Sequence, residues 1–389
     1  YLVDRTIPML PEALSNNLCS LVPNQDRLTM SAVFILNKKG EVQKEWYGKT
    51  IIHSQKRFTY EEAEISIKKE GSELHKELNI LNTIAINLKE ERYKNGAIEI
   101  EQDEVKFVLD KKGIPIKIIK KVRGDSNKLI EELMLLANRK VAETVEKGTK
   151  KGVFIYRIHD NPNKEKMDDL IYFLKTLGHE PLLENGAISN KSINKILVKI
   201  AGKDESDAVN KAVVRSMAKA IYSTKNIGHY GLAFEYYTNF TSPIRRYPDI
   251  VVHRILEDFL QHKKIGKDKL NIYEEISRKS SERERYATEA ERASIKYKQA
   301  EYMSLHKGKV FNGMISGITE WGMYVEEIDT KSEGLIRLRD LNDDYYIFDE
   351  RKLELVGEKK KKRYRFGDRV KIKVKEVDLE RKTIDYVLV

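Results

Sequence analysis

The run His229-Tyr-Gly-Leu-Ala-Phe-Glu-Tyr-Tyr-Thr-Asn-Phe-Thr-Ser-Pro-Ile-Arg-Arg-Tyr-Pro-Asp249 sets two arginines, Arg245 and Arg246, between Pro243 and Pro248. Each proline fixes its own φ and removes a backbone donor, so the chain between them has few conformations. Pro248 and Asp249 suit the first turn of a helix with apolar Ile250, Val251 and Ile255 behind them. The arginines would then project from a stiff loop at a helix N-terminus, where free N–H groups and the dipole draw anions. Two guanidinium forks there read as a phosphate clamp. The same residue types also fit a buried arginine that pairs with carboxylates to hold a turn. Residue types alone leave both readings open.

The string resembles the signature of the RNase II/RNase R (RNB) family of 3′→5′ exoribonucleases, and its Arg-Arg-Tyr-Pro-Asp form is nearer the RNase R branch. The resemblance begins at Tyr1, takes in Ile7-Pro-Met-Leu-Pro-Glu12 and Leu18-Cys-Ser-Leu21, and continues to the end of the chain. It implies roles for particular residues. Arg245 matches the arginine that contacts the phosphate of the scissile bond, where a preorganised cation meets developing negative charge. Arg246 is open between an RNA-backbone contact and a structural salt bridge. Glu291, in Ala290-Glu-Arg292, matches a glutamate lining the RNA channel near the last nucleotides. By type alone it is one solvated charge among many.

Glu131 opens Glu131-Glu-Leu-Met-Leu-Leu-Ala-Asn138 and resembles a glutamate that accepts a hydrogen bond from a ribose 2′-OH. By type alone it is a favourable acid in the first turn of a helix. Tyr60, ending His53-Ser-Gln-Lys-Arg-Phe-Thr-Tyr60, and Tyr1 resemble tyrosines that pack on the terminal nucleotide and a nearby base. Stacking is worth roughly 1–3 kcal/mol per base and ignores sequence. Against this, the chain holds 20 tyrosines, most of them ordinary. Ile100 stands where the family often has a clamping phenylalanine, so a base there would meet no aromatic face.

The resemblance also implies Mg²⁺. The family's metal site is an Asp-x-Asp-Asp cluster lying before the tyrosine that Tyr1 matches, so the ligands are expected upstream of residue 1. Cold-shock-like RNA-binding domains are expected there too. Hard carboxylate oxygens suit this ion, and the metal lowers the pKa of the attacking water. Asp168-Asp169 and Asp343-Asp344 lie outside that context and are expected on solvated surfaces.

The elements that must position these residues follow from periodicity. Residues 30–54 alternate around a Lys38-Lys39-Gly40 turn, which predicts a hairpin. Residues 60–95 predict helices with an apolar stripe through Leu78, Ile80, Leu81, Ile84 and Leu88. Short strands are predicted near 104–110 and 115–121, and helices over Leu129 to Val145, 166–177 and 205–222. Segment 229–240 is predicted as a strand leading into the arginines, and 268–305 as a long charged helix.

A different unit begins near Lys307. Gly308-Lys-Val-Phe-Asn-Gly-Met-Ile-Ser-Gly-Ile-Thr-Glu-Trp-Gly-Met-Tyr-Val325 alternates between glycines, and Gly334 and Gly367 open later strands. Small glycine-marked strands suggest a five-stranded OB barrel, and the strings resemble the S1 RNA-binding domain over 307–389. Phe311, Trp321 and Tyr324 are its candidate RNA-contacting aromatics, with Phe311 and Tyr324 expected to be the better exposed. Residues 357–375 hold ten Lys or Arg against two acids, either a phosphate track or a solvated basic loop.

The expected fold class is α+β: a partial RNB-type catalytic domain over 1–306, lacking its N-terminal part, then the barrel over 307–389. The whole chain, 389 residues with 72 Lys or Arg against 61 Asp or Glu, carries a net charge of +11, favouring a polyanionic partner. Its single cysteine, Cys19, excludes an internal disulfide and is expected as a small buried side chain rather than a nucleophile. No apolar run approaches the ~18–20 residues a bilayer span needs, and no leader opens the chain. A cytoplasmic monomer acting on single-stranded RNA, with no membrane partner, is the expectation. The leading function is a hydrolytic 3′→5′ exoribonuclease releasing nucleoside 5′-monophosphates. The alternatives are an RNA-binding module without catalysis and a scaffold that docks on a ribosome or another RNA–protein particle.

Overall fold

The computed structural model describes residues 1–389 apart from 101–103, 150–152, 185–186, 204, 264–266 and 350–353. Strands β1 (Asp26–Leu36) and β2 (Val42–His53) form the predicted hairpin, in register from Asp26↔His53 to Ile35↔Lys44 with a shift before Leu36↔Val42. Its turn needs Gly40 at φ +88°, where an added Cβ would also lie 3.1 Å from Leu88 Cγ. Helix α1 (Tyr60–Lys68) starts at a capping box, Thr59 accepting from the Glu62 N–H and Glu62 from the Thr59 N–H. Helix α2 (His75–Lys94) buries Ile84, Ala85 and Leu88, whereas Ile80 of the predicted stripe faces solvent.

A ribbon of β3 (Glu104–Leu109) and β4 (Pro115–Lys121) leads to α3 (Asp125–Thr149), the main helix of the first unit. Then come β5 (Tyr156–Ile158), α4 (Lys164–Thr176), the small pair β6 (Leu183–Glu184) and β7 (Ala187–Ile188), and α5 (Asn190–Ile200), which periodicity did not single out. Helix α6 (Ser206–Ser216) ends earlier than predicted. Residues 221–223 instead form β8 (Ile221–Ser223), paired with β5, so Tyr222 is buried in a sheet and not in a helix. Helix α7 (Tyr247–Leu260) carries Pro248 in its first turn. Behind it, Val252, Ile255 and Leu256 join Val141, Val145 and Phe154 in one core.

Helix α8 (Leu270–Ser304) is 35 residues long, about 52 Å at 1.5 Å per residue. Only its ends are buried: Tyr273 in the α7 core, and Ala300, Tyr302 and Met303 in the core of the second unit. That unit is the expected closed barrel, β9 (Val310–Thr319), β10 (Gly322–Glu327) and β11 (Glu333–Arg337) joined by β15 (Arg369–Asp378) and β16 (Thr383–Leu388) in the order β10-β11-β16-β15-β9. An extra sheet of β12 (Tyr346–Asp349), β13 (Glu354–Gly357) and β14 (Arg363–Arg365) sits between β11 and β15 in sequence and was not anticipated.

The barrel is fastened to the helices by buried polar contacts. Gln299 Nε2 of α8 donates to the Thr330 and Lys331 carbonyls at 3.0 and 2.9 Å. Lys331, held at φ +56°, inserts its ammonium between Asp207 of α6 and Glu326 of β10. The phenyl rings of Phe173 and Phe366 meet edge-on at 5.5 Å.

Candidate functional site

Segment 229–240 is not a strand. Its only ladder contacts are isolated bridges, His159↔His229 and His229↔Phe234, and Ala233 turns the chain at φ +54°. Its backbone groups are met partly by neighbouring backbone, the Arg157 N–H donating to the Tyr237 carbonyl at 2.9 Å and the Tyr230 N–H to the His159 carbonyl at 2.8 Å, and at its end by side chains from helices. Oδ1 of buried Asn138 in α3 accepts the Phe240 and Thr241 N–H groups at 2.9 and 3.2 Å. His253 Nε2 donates to the Phe240 carbonyl at 2.8 Å, and burial pushes its imidazole below its ordinary pKa, favouring the neutral ring. Asp249, fully buried, accepts the Ser242 N–H at 2.7 Å. The Ser242 carbonyl in turn accepts the Arg245 and Arg246 N–H groups at 3.2 and 3.1 Å.

This scaffold separates the two arginines. Arg246 donates from Nη2 to Asp249 at 2.8 Å with its side chain 22% exposed, the turn-holding ion pair that was one of its two readings. Arg245 is exposed, and among the described residues no hydrogen bond or ion pair engages its guanidinium. The N-terminus of α7 lies immediately beyond it.

Glu131 and Ile100 line one cleft of about 340 Å³, together with Lys120, Lys121, Arg123 and Lys128. The Glu131 carboxylate accepts from Arg123 Nη2 at 2.6 Å. Behind it Arg92 and Glu132 form a buried ion pair that fixes α2 against α3. The strand of chain reaching Ile100 is set by Asn190 and Asn194 of α5, which donate to the Gly96 and Ala97 carbonyls at 2.9 and 2.7 Å.

Tyr60 is exposed at the start of α1, and its carbonyl accepts from Ser126 Oγ in the first turn of α3 at 3.0 Å. Tyr1 is exposed beside α8, where the Val3 N–H donates to Ser294 Oγ at 3.1 Å, one turn beyond Glu291. Glu291 is itself exposed. The structure thus brings the chain just after Tyr1 against α8 one turn from Glu291, and sets Ile100 and Glu131 in one cleft.

In the barrel the expected exposures change places. Phe311 is 8% exposed: it shares the face of β9 that carries Ile315, pairs with Ile372 and belongs to the core. Trp321, at the tip of the β9–β10 turn, is 63% exposed, and Tyr324 is 36% exposed with its ring over Gly317. Gly322 sits at φ +151° where a Cβ would lie 2.1 Å from the Ile336 carbonyl, so the turn that presents Trp321 requires glycine. In the basic stretch, Arg363 and Arg365 are both spent on buried Glu354, and Lys375 on Asp340. Cys19 is exposed rather than buried, because residues 11–21 lie on the surface.

Sequence reasoning missed a histidine pair behind the turn. The His159 and His229 rings lie 5.0 Å apart beside an open cavity of about 520 Å³. His159 donates from Nε2 to the Ala218 carbonyl and accepts the Gly231 N–H at Nδ1, the neutral tautomer. Burial, then the neighbouring His159, pushes His229 down to about 3. No spacing signal could have found this pair, since 70 residues separate its members.

The Mg²⁺ implied by the resemblance finds no fit here. Among the described residues no three His, Cys, Asp or Glu side chains gather to hold a metal ion. Asp344 already accepts the Tyr345, Lys359 and Lys360 N–H groups, while Asp168 and Asp169 are exposed. No helix among the described residues is long and apolar enough to cross a membrane.

Comparison with known proteins bears on this geometry. The S1 RNA binding domain matches residues 304–386, and the RNB domain matches residues 1–262. Ribonuclease R of Thermotoga maritima is 40% identical over 100% of this chain and 56% of its own length, and Ribonuclease R of Escherichia coli is 33% identical over 100% and 49%. The chain therefore spans about half the length of these relatives. Mycoplasma genitalium RNase R in complex with ribose-methylated single-stranded RNA superposes with a TM-score of 0.89 at 30% identity, covering 98% of this chain and 61% of that one. Yeast Ssd1, a pseudonuclease, is 19% identical with a TM-score of 0.71 over 92% of this chain and 45% of its own, a likeness of fold alone. With two-thirds of its length in an RNB match and an S1 barrel behind it, the chain belongs to the RNB family, with RNase R proteins among its relatives.

Proposed function

We propose that these residues serve a hydrolytic 3′→5′ exoribonuclease of RNase R type, which shortens single-stranded RNA to nucleoside 5′-monophosphates. The observation that carries this reading is the division of labour at 245 and 246. One guanidinium is consumed by Asp249 to build a turn, and its neighbour is left exposed and unpaired among the described residues at a helix N-terminus. A cation carried on a backbone held in that way would meet the charge of a phosphodiester in its transition state without rebuilding the turn.

The remaining residues fall into supporting roles. Glu131 would exchange its Arg123 partner for a ribose 2′-OH, and Ile100 would pack on the same nucleotide. Tyr1, Tyr60 and Glu291 would line the path of the last bases. Trp321 and Tyr324 would stack on incoming RNA, with Phe311 supporting them from the core. The working units are 1–306 and 307–389. Mg²⁺ is the metal of this reading, and the described residues form no site for it. The protein is read as a cytoplasmic monomer, and its basic surface would also allow docking on a ribosome or another RNA–protein particle.

The test follows a 5′-labelled single-stranded RNA with the whole protein, with and without Mg²⁺. Stepwise shortening only with the metal is expected. Tight binding without shortening would favour an RNA-binding module without catalysis.

A further inference from the structure

We infer that Asn138 is a positioning residue for Arg245, and that α3 is the rigid element fixing the distance between the Glu131 cleft and the turn that carries the guanidinium. The inference deepens the reading of Arg245 above and rests on it. Asn138 is 3% exposed and spends both ends of its amide on the segment that leads into the turn. Oδ1 accepts the N–H groups of Phe240 and Thr241, and Nδ2 donates to the Tyr237 hydroxyl at 3.2 Å. The two bonds that reach the turn fall on the acceptor oxygen, whose two lone pairs meet two N–H groups at once.

From there the restraint passes along the backbone. The residue after Thr241 is Ser242, whose N–H is held by Asp249 and whose carbonyl holds the Arg245 and Arg246 N–H groups. Asp249 and His253 tie the same stretch to α7, the helix that the turn itself begins. Asn138, of these three, is the one that references it to α3. Glu131 lies two turns earlier on that helix, roughly 10 Å along the axis and on nearly the same side. A single helix thus indexes the candidate sugar contact and the candidate phosphate contact to each other. Displacing a reacting group by about 1 Å can cost on the order of a hundredfold in rate.

The experiment is a double-mutant cycle in the whole protein, reading single-turnover cleavage and RNA affinity separately. Asn138→Ala should slow cleavage by about 10- to 100-fold. Its RNA affinity should stay within about threefold, and once Arg245 is already alanine it should cost less than about threefold more. Losses that multiply would show Asn138 acting independently of Arg245 and would overturn the inference. Asn138→Asp keeps the acceptor for both N–H groups and covers the case in which the alanine variant fails to fold. It should cleave within about threefold of wild type, and a loss as large as that of Arg245→Ala would overturn the inference. If Arg245→Ala alone leaves cleavage intact, the underlying reading of Arg245 fails first, visibly in the single variant, and this inference falls with it.

Discussion

In the turn at 240–249, one exposed guanidinium stands on a backbone whose neighbours are tied down by Asn138, Asp249 and His253. On the barrel face, by contrast, two exposed aromatics, Trp321 and Tyr324, share their unit with a basic stretch at 357–375. The first arrangement would concentrate its effect in a single group, whose position would then matter to about 1 Å. The second distributes its effect over interchangeable groups, so that any one of them can be lost at modest cost. Physical chemistry assigns them different tasks: a preorganised cation suits a transition state, whereas redundant stacking and cations suit grip on a mobile polymer.

That contrast can be broken at several points. The largest expected effect is on the barrel itself. Phe311→Ala should destabilise it by about 3–5 kcal/mol, as a core aromatic does, while Trp321→Ala leaves stability nearly unchanged. Denaturant unfolding of the two variants checks this, and equal losses would put Phe311 and Trp321 in the same environment. Next is the turn. Asp249→Ala strands the Arg246 guanidinium and the Ser242 N–H, and should cost about 3 kcal/mol in the same assay. A neutral result would mean the turn holds without its buried carboxylate.

Smaller effects sharpen the comparison. Trp321→Ala should weaken single-stranded RNA binding by about 1–3 kcal/mol, with cleavage at saturating RNA unchanged. Fluorescence anisotropy measures the first, and a loss of maximal rate would bring the barrel face into the chemistry. The histidine behind the turn gives a pH signature. His229 is held at about 3 in the fold, far below its ordinary value. Below pH ~6.5 the unfolded chain therefore binds a proton that the folded one refuses, so stability falls as pH drops from ~6.5 towards 3, by order 2 kcal/mol at pH ~5. His229→Gln should flatten that slope in urea titrations, and an unchanged slope would remove His229 as its source.

The fold and site were legible in the sequence to the extent that local chemistry determined them. The hairpin turn needs Gly40, α1 begins at its capping box, and Pro248 marks the start of α7. Each is settled within a few residues. The burial of Phe311 was also available, since it shares parity with Ile315 along β9; weighing aromatic type above alternation hid it. What could not be read was long-range. Asn138 meets Phe240 across 102 residues, and His159 meets His229 across 70. Segment 229–240 is predicted as a strand, yet its backbone is met by scattered partners far off in sequence: the Ile98 and Arg157 N–H groups, the Asn138 amide and the His253 imidazole.

The central claim is that a guanidinium at position 245 meets the phosphate whose bond is cut. Chemical rescue tests it most directly: Arg245→Ala and Arg246→Ala in the whole protein, each assayed for single-turnover RNA cleavage while guanidinium ion is added at low, non-denaturing concentration. The account predicts that added guanidinium restores cleavage to Arg245→Ala in a saturable way and leaves Arg246→Ala, whose defect is in folding, unrescued. Equal rescue of both variants, or none in either, would contradict it.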